Sequence, residues 1–220
     1  MEGDKKGLSY RIKWMSNIIK HGLFWHGVRN NLAKLGFDFM PYYWVKEATS
    51  PISPPEIRGD DKDFEISSFG ENEINYIKNT IIGIEQKDLL ADLKNGELCV
   101  GLKNKGNIAA YMFIKIKPFT FRKRVFDLQL TESYLHSMYT FEAYRGRNLA
   151  PYLRYHSYKI LEEKGVTTYL SVSEYFNKST IKFKKKLNSK HLKLYLSLVL
   201  FKKVALNFTL RTYDKSNGKD

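Results

Sequence analysis

The chain has a single cysteine, Cys99, in 220 residues. That excludes an intramolecular disulfide and any metal site built from several thiolates, and it favours a reducing compartment. Long apolar runs are missing too, and no stretch approaches the roughly 18 residues of a membrane span. The start, MEGDKK, leads into no clean apolar core or small-residue cleavage site. A secretory leader is therefore not expected, and the cytoplasm is the default compartment. Negative charge is scarce: 23 acidic residues stand against 37 Lys and Arg, for a net charge of +14. The resulting electropositive surface suits nucleic acid, anionic lipid or a small polyanionic cofactor, and charge alone does not choose. Proline is scarce as well, and three of the six lie between residues 48 and 61. Apolar and aromatic residues are plentiful, at 43% and 15%, enough for a sizeable core.

Taken in order, residues 7–36 predict helix, either one long helix or two short ones. Leu8, Ile12, Met15, Ile19 and Leu23 recur at steps of three or four, Gly22 and Gly27 interrupt, and Gly36 reads as a stop. Lys5, Lys6, Arg11, Lys13, Lys20 and Arg29 surround this stripe together with Trp14, Phe24 and Trp25. A basic, aromatic, amphipathic segment can lie in an anionic membrane interface, or pack its apolar face on the domain or on a partner subunit. The aromatic run FDFMPYYWVKE follows, and the proline-bearing stretch 48–61 reads as a linker. The expected organisation is a helical extension and linker over 1–60, a main domain over 61–213 and a polar tail over 214–220.

The main domain reads as mixed α/β. FEISSFG is a short strand, 71–82 and 85–94 are helices, and ELCVGLK and IAAYMFIKI form a hairpin turning at Lys105-Gly106. Residues 119–127 form a basic, aromatic loop or short strand, and 133–141 a strand. Helix 148–164, strand 166–172, helix 176–187 and a closing strand pair around Lys202-Lys203 complete the order.

The turn YRGRNLA, residues 144–150, runs from a strand straight into a helix whose expected buried stripe is Leu149, Leu153, His156 and Ile160. A helix start is an anion site, because its first N–H groups lack carbonyl partners and carry the positive end of the macrodipole. Arg145 and Arg147 add fixed charge, so the expected ligand bears phosphate. Pro151 in the first turn and Gly165 at the end fit the helix limits.

This turn and the element order around it resemble the Gcn5-related N-acetyltransferase (GNAT) superfamily over about residues 63–210. Arg145-Gly146-Arg147-Asn148-Leu149-Ala150 matches the family's Gln/Arg-x-x-Gly-x-Gly/Ala turn, with Asn148 in place of the central glycine. Asparagine tolerates positive φ better than other non-glycine residues, so the turn can still form. Asn177, Thr180, Phe183, Lys186 and Leu187 fall in register with the family's Asn-x-x-Ala-x-x-Leu-Tyr-x-Lys-x-Gly-Phe helix. The resemblance implies a mostly antiparallel mixed sheet flanked by helices, with acetyl-CoA as cosubstrate. It implies a pyrophosphate site on residues 145–150, contacts from the strand end Tyr139-Thr140, and a contact from Asn177, which can equally be only a helix N-cap. It also places a strand bulge at Thr140.

A base should project from the same strand, and His136 and Tyr134 share one alternating face. Tyr139 and Tyr175 are alternative proton donors. Lys184 stands where many members carry a tyrosine that protonates the departing thiolate, and Asn188-Ser189 replaces the terminal Gly-Phe. The basic run Lys182, Lys184, Lys185 and Lys186 reads as a solvated helix face. The implied activity is acetyl transfer to an amine of a small molecule or glycan. The alternative is a catalytically weakened relative that binds CoA, anionic membrane or nucleic acid. Nucleic acid is the less expected partner, because the basic aromatic stretch 119–124 lies where a substrate-side loop belongs.

Overall fold

The aromatic run before the linker proves to be an inner strand of the sheet. The computed structural model describes residues 24–59, 62–81, 88–201 and 203–213. In it α1 (Phe24–Lys34) turns at Leu35-Gly36 into β1 (Phe37–Glu47). The first part of the helix expected over 7–36 lies outside the described residues. The expected separation of residues 1–60 from the sheet is not met for β1, which pairs antiparallel with strands on both sides. The period of two in Met40, Tyr42 and Trp44, all buried, is what makes this run a strand.

The remaining elements follow the expected order: β2 (Phe64–Ser68), α2 (Glu71–Thr80), α3 (Leu89–Lys94), β3 (Leu98–Asn104), β4 (Asn107–Lys115), β5 (Phe119–Phe121), β6 (Arg124–Phe126) and β7 (Glu132–Thr140). Then come α4 (Leu149–Glu162), β8 (Thr168–Glu174), α5 (Lys178–Lys185), β9 (Lys190–Leu200) and β10 (Val204–Thr212). Eight strands form one sheet in the order β10-β9-β1-β8-β7-β4-β3-β2, and β5-β6 is a separate hairpin. Among the described strands of this sheet only β7 and β8 run parallel. The expected mixed, mostly antiparallel sheet flanked by helices is therefore present.

Three clusters fill the two faces. On one face α4 and α5 cover Leu102, Met112, Leu135 and Tyr169 with Leu149, Leu153, Tyr158 and Leu161. On the other, α2 and α3 bury Ile74, Ile77 and Leu89 against Cys99 and Phe113. Beside them the β5-β6 hairpin lays Phe119, Phe121 and Phe126 over Tyr42, Trp44 and Tyr134. The β3–β4 and β5–β6 hairpin turns take the twist that suits antiparallel strands, with positive φ at Lys105 and Gly106 and at Arg122 and Lys123.

The stripe of α4 differs from the expected one. Arg154, Ser157, Tyr158 and Leu161 are buried with Leu149 and Leu153, while His156 and Ile160 are only half-buried. The helix is rotated by about one position, which carries a charged residue inward. That charge meets Glu47 at the end of β1.

Gly101 of β3 leaves no room for a side chain. A Cβ built there would lie 1.8 Å from the Phe69 ring, which fills that space. Gly101→Ala is expected to destabilise the fold by about 1–3 kcal/mol or more, read as a lower urea midpoint at unchanged m-value.

Candidate active site

Two strands that part company define the site. β7 and β8 pair only from Glu132–Tyr134 to Thr168–Leu170, and β7 then continues to Thr140 without pairing to β8. The cause lies in β7. Between His136 and Tyr139 it places two residues, Ser137 and Met138, where β4 places only Met112 between Phe113 and Tyr111, and Ser137 takes φ 48°. This bulge bends the strand away from β8. It sits at Ser137-Met138, not at Thr140 as expected, and Thr140 pairs regularly with Ala110.

The open edge of β7 leads through a short 3-10 turn, Glu142–Tyr144, into the Arg-Gly-Arg turn and α4. Gly146 has φ 83°, and Asn148 takes the left-handed region at φ 65°, ψ 21°, as its residue type permits. The Asn148 side chain does not cap the helix. Its Nδ2 donates to the Glu56 carbonyl at 2.8 Å, and its Oδ1 accepts from Lys186 Nζ at 3.2 Å. The first-turn N–H groups of Leu149 and Ala150 thus receive no side-chain cap, the arrangement an anion site requires.

The two arginines are tied down. Arg145 Nε donates to the Thr140 carbonyl at 3.2 Å and Nη2 to the Tyr139 hydroxyl at 3.4 Å. Arg147 Nε donates to the Arg58 carbonyl at 3.2 Å, and its guanidinium lies over the Phe64 ring. Residues 48–58 thereby become a strap rather than a free linker. Ala48 and Thr49 N–H bond the carbonyls of Leu187 and Asn188, and Arg58 N–H bonds that of Arg147.

Beneath the gap lies a charge cluster that gives α4 its inward arginine. Glu47, the last residue of β1, is wholly buried and accepts short hydrogen bonds from the hydroxyls of Tyr158 and Ser171. Arg154 Nε lies 3.2 Å from its Oε2 and Lys184 Nζ 3.5 Å from its Oε1. Burial alone would raise the carboxyl pKa, but Arg154, Lys184 and the two hydroxyls outweigh it and hold Glu47 below the usual range. The expectation of a solvated basic face on α5 fails for Lys184, which is 2% exposed. Its ammonium donates to Ser171 Oγ at 2.7 Å and to the Val172 carbonyl at 2.9 Å.

His136 stands on the bulged strand, facing the other way. Its Nε2 lies 2.8 Å from Glu97 Oε2 and its Nδ1 3.1 Å from Ser137 Oγ. Burial pushes its pKa below the ordinary value and the Glu97 carboxylate opposes the shift, so the ring is neutral at pH 7. With Nε2–H directed at the carboxylate, Nδ1 is the nitrogen left to accept a proton. Glu97 also pairs with Lys115, whose other neighbour is Asp92 at 3.9 Å. Burial, then the nearby Glu97, raises the Asp92 pKa. Asp92, Glu97 and Lys115 line a cavity of about 310 Å³ that Lys117, Phe119 and Thr120 complete.

Of the other candidates, Tyr134 is buried and stacked between Phe119 and His136, with burial raising its phenol pKa far above normal. It is a core residue. Tyr139 is half-buried beside Arg145. Asn177 accepts the Thr180 N–H at 3.1 Å and is the N-cap of α5. Tyr175 is 43% exposed and packs with Tyr43, which belongs to β1 on the far side of β8 from the gap. Glu97, Asp92, Glu47 and Arg154 carry no sequence motif. The only signal was a lone acid ending an alternating aromatic run, Glu47, and another opening a hairpin, Glu97.

Residues 65–188 match the sequence model of the acetyltransferase (GNAT) family. The chain belongs to that family. No curated protein sequence matches it. Among solved structures it resembles a GNAT-family protein from Novosphingobium aromaticivorans, at 18% identity and TM-score 0.53 over 75% of this chain and 66% of that one. A GNAT acetyltransferase from Colwellia psychrerythraea is similar at 16% identity and TM-score 0.56, over 74% of this chain and 57% of that one. A glucosamine N-acetyltransferase region of a fungal multi-domain β-N-acetylglucosaminidase follows at 12% identity and TM-score 0.53, over 83% of this chain and 23% of that one. The chain thus spans 57–66% of the length of the first two. At these identities the likeness shows the fold, and the family carries acyl transfer from acetyl-CoA as its general chemistry. Among the described residues no helix is long and apolar enough to cross a membrane, and no cluster of His, Cys, Asp and Glu side chains could hold a metal ion.

Removing the Glu47 charge should leave Arg154 and Lys184 buried without a counter-ion. Glu47→Gln is expected to destabilise the protein by about 3–5 kcal/mol, measured by urea unfolding at neutral pH.

Proposed function

We propose that the chain transfers the acetyl group of acetyl-CoA to a primary amine of a small polar acceptor, by direct attack in a ternary complex. The observation that carries this reading is the unpaired edge of β7 beyond Tyr134, which runs directly into the uncapped start of α4. A pyrophosphate on residues 145–150 would meet the N–H groups and helix dipole there, with Arg145 beside it. The extended arm of the cofactor would then lie along the gap, and backbone N–H groups near Tyr139 and Thr140 would polarise the thioester carbonyl.

His136 is the base in this reading. Its neutral ring keeps Nδ1 for the amine proton, passed through the Ser137 hydroxyl at the bulge, and Glu97 fixes the tautomer and stabilises the imidazolium that forms. The acceptor would occupy the cavity beside Glu97, Asp92 and Lys115. Its lining sets the charged Asp92, Glu97 and Lys115 beside the apolar Ile116, Pro118 and Phe119. That mixture favours an amine carrying both hydroxyl groups and an apolar ring face, and an amino sugar is the class that fits. The likeness to a glucosamine N-acetyltransferase region is in keeping with that class.

Acetyl-CoA at about 100 times its Kd should stabilise the fold by about 2.7 kcal/mol, a rise in Tm of about 5–10 °C. Arg145→Glu is expected to weaken binding at least about tenfold, because repulsion replaces a charge-assisted hydrogen bond to the phosphate. No shift at millimolar acetyl-CoA would refute the cofactor assignment.

Activity is best followed as thiol release over a panel of amino sugars. His136→Gln should lower kcat/KM by about 10²–10⁴-fold. It should also remove the acidic limb of the pH profile, which in the wild type falls below pH 6.5 because burial depresses the His136 pKa. A limb unchanged in the variant would exclude His136 as the base.

A further inference from the structure

Lys184 lies on the gap, and the sheet's own hydrogen bonding shows it. Tyr175 N–H donates to the Pro41 carbonyl at 2.9 Å, so Pro41 and Tyr175 form a hydrogen-bonded pair across β1 and β8. In an antiparallel ladder such pairs alternate. With Tyr43 opposite Ser173 and Val45 opposite Ser171, the odd-numbered residues of β8 turn their amides toward β1. The even-numbered residues turn theirs toward β7. Leu170 is the last to find a partner there, opposite Tyr134. Val172 is the next residue on that side, so its carbonyl points into the open gap, and Lys184 Nζ donates to it. The ammonium therefore sits against the gap from the α5 face, at the Val172 carbonyl, with the side chain as a whole 2% exposed.

The charge around it is unbalanced. Glu47 from β1 supplies one negative charge, while Arg154 from α4 and Lys184 from α5 supply two positive ones. The other titratable groups facing the cluster, Tyr158 on α4 and His191 on β9, are neutral at pH 7: burial and Glu47 raise the first, and burial then Lys184 lower the second. A buried net charge of about +1 is costly in low dielectric, and an anion entering the gap would neutralise it. Consistent with that imbalance, burial pushes the Lys184 pKa down to about 7 against the pull of Glu47.

We infer that Lys184 is the general acid that protonates the thiolate leaving group. This rests on the acetyl-CoA reading above. As the acceptor nitrogen bonds to the acetyl carbon, the C–S bond breaks and the electron pair goes to sulfur. The sulfur takes a proton from Lys184 Nζ and leaves as thiol. The amine proton goes to His136, and both groups return to their starting state by exchange with water. Lys184 thus supplies a proton at the place where the family resemblance had implied that the acid was missing.

Free CoA tests the assignment without an acceptor. Binding is measured first by calorimetry, and then the ultraviolet absorbance of the bound thiolate is followed against pH, with desulfo-CoA as the blank. The ammonium should raise the ionisation constant of the bound thiol by at least about tenfold over free CoA. Lys184→Met, checked for native circular dichroism, should bind CoA with Kd within about threefold of wild type and lose the enhancement. If that variant does not fold, the wild-type titration decides alone. CoA that binds with an unshifted or less acidic thiol, or an enhancement that survives in Lys184→Met, overturns the assignment. No CoA binding by the wild type overturns the acetyl-CoA reading, and this role with it.

Discussion

A single buried carboxylate joins the elements that shape the site. Glu47 ends β1, and through it β1 is bonded to Ser171 of β8, to Arg154 and Tyr158 of α4, and to Lys184 of α5. Those are the strand on one side of the gap and the two helices that cover it. Apolar packing alone would leave α4 and α5 free to slide along the sheet, since Leu and Phe contacts tolerate small shifts. An ion pair with two hydroxyl donors does not, because any shift leaves a charge unpaired in low dielectric. The cluster also explains why α4 is rotated from the face its leucines would choose. Arg154 has to reach Glu47, and Met112 of β4 lines the other side of its guanidinium.

The gap and its two chemistries follow from the bulge at Ser137. The extra residue turns β7 away from β8 and exposes a run of backbone, and the same residue places a hydroxyl against His136 Nδ1. Nucleophile-side groups, His136 with Glu97, gather on the α2–α3 face, and Lys184 arrives from the α4–α5 face. In the proposed reaction, base and acid would thus approach from opposite faces of the sheet. Proton abstraction and proton donation then need not compete for one group, and burial lowers both pKa values, against the pull of Glu97 at His136 and of Glu47 at Lys184.

Much of the architecture was legible because it is local. The Lys105-Gly106 turn, the left-handed Asn148, the stop at Gly165 and the Asn177 cap each depend on residues within a few positions. The polarity of the Arg-Gly-Arg turn was legible for the same reason. The place of β1 was not, since its neighbours lie far along the chain and its proximity to a proline-rich stretch favoured a linker. Lys184 was misplaced because four lysines in five residues look solvated, and only Glu47 marks one of them as buried. The shift of the bulge from Thr140 to Ser137 has a similar cause. Register is set between strands, not within one.

The position of β1 bears on how the chain comes to be folded. Its partners, residues 169–174 on one side and 190–200 on the other, are made long after it. An aromatic strand with two bare edges must therefore wait through most of synthesis for the segments that cover it. Long-range pairing of this kind slows folding and lengthens the time during which a sticky edge is open to other chains. The matched region 65–188 can be drawn as a unit on paper. In the ribosome's order of work it is enclosed by an earlier strand and a later hairpin that meet only once both are made.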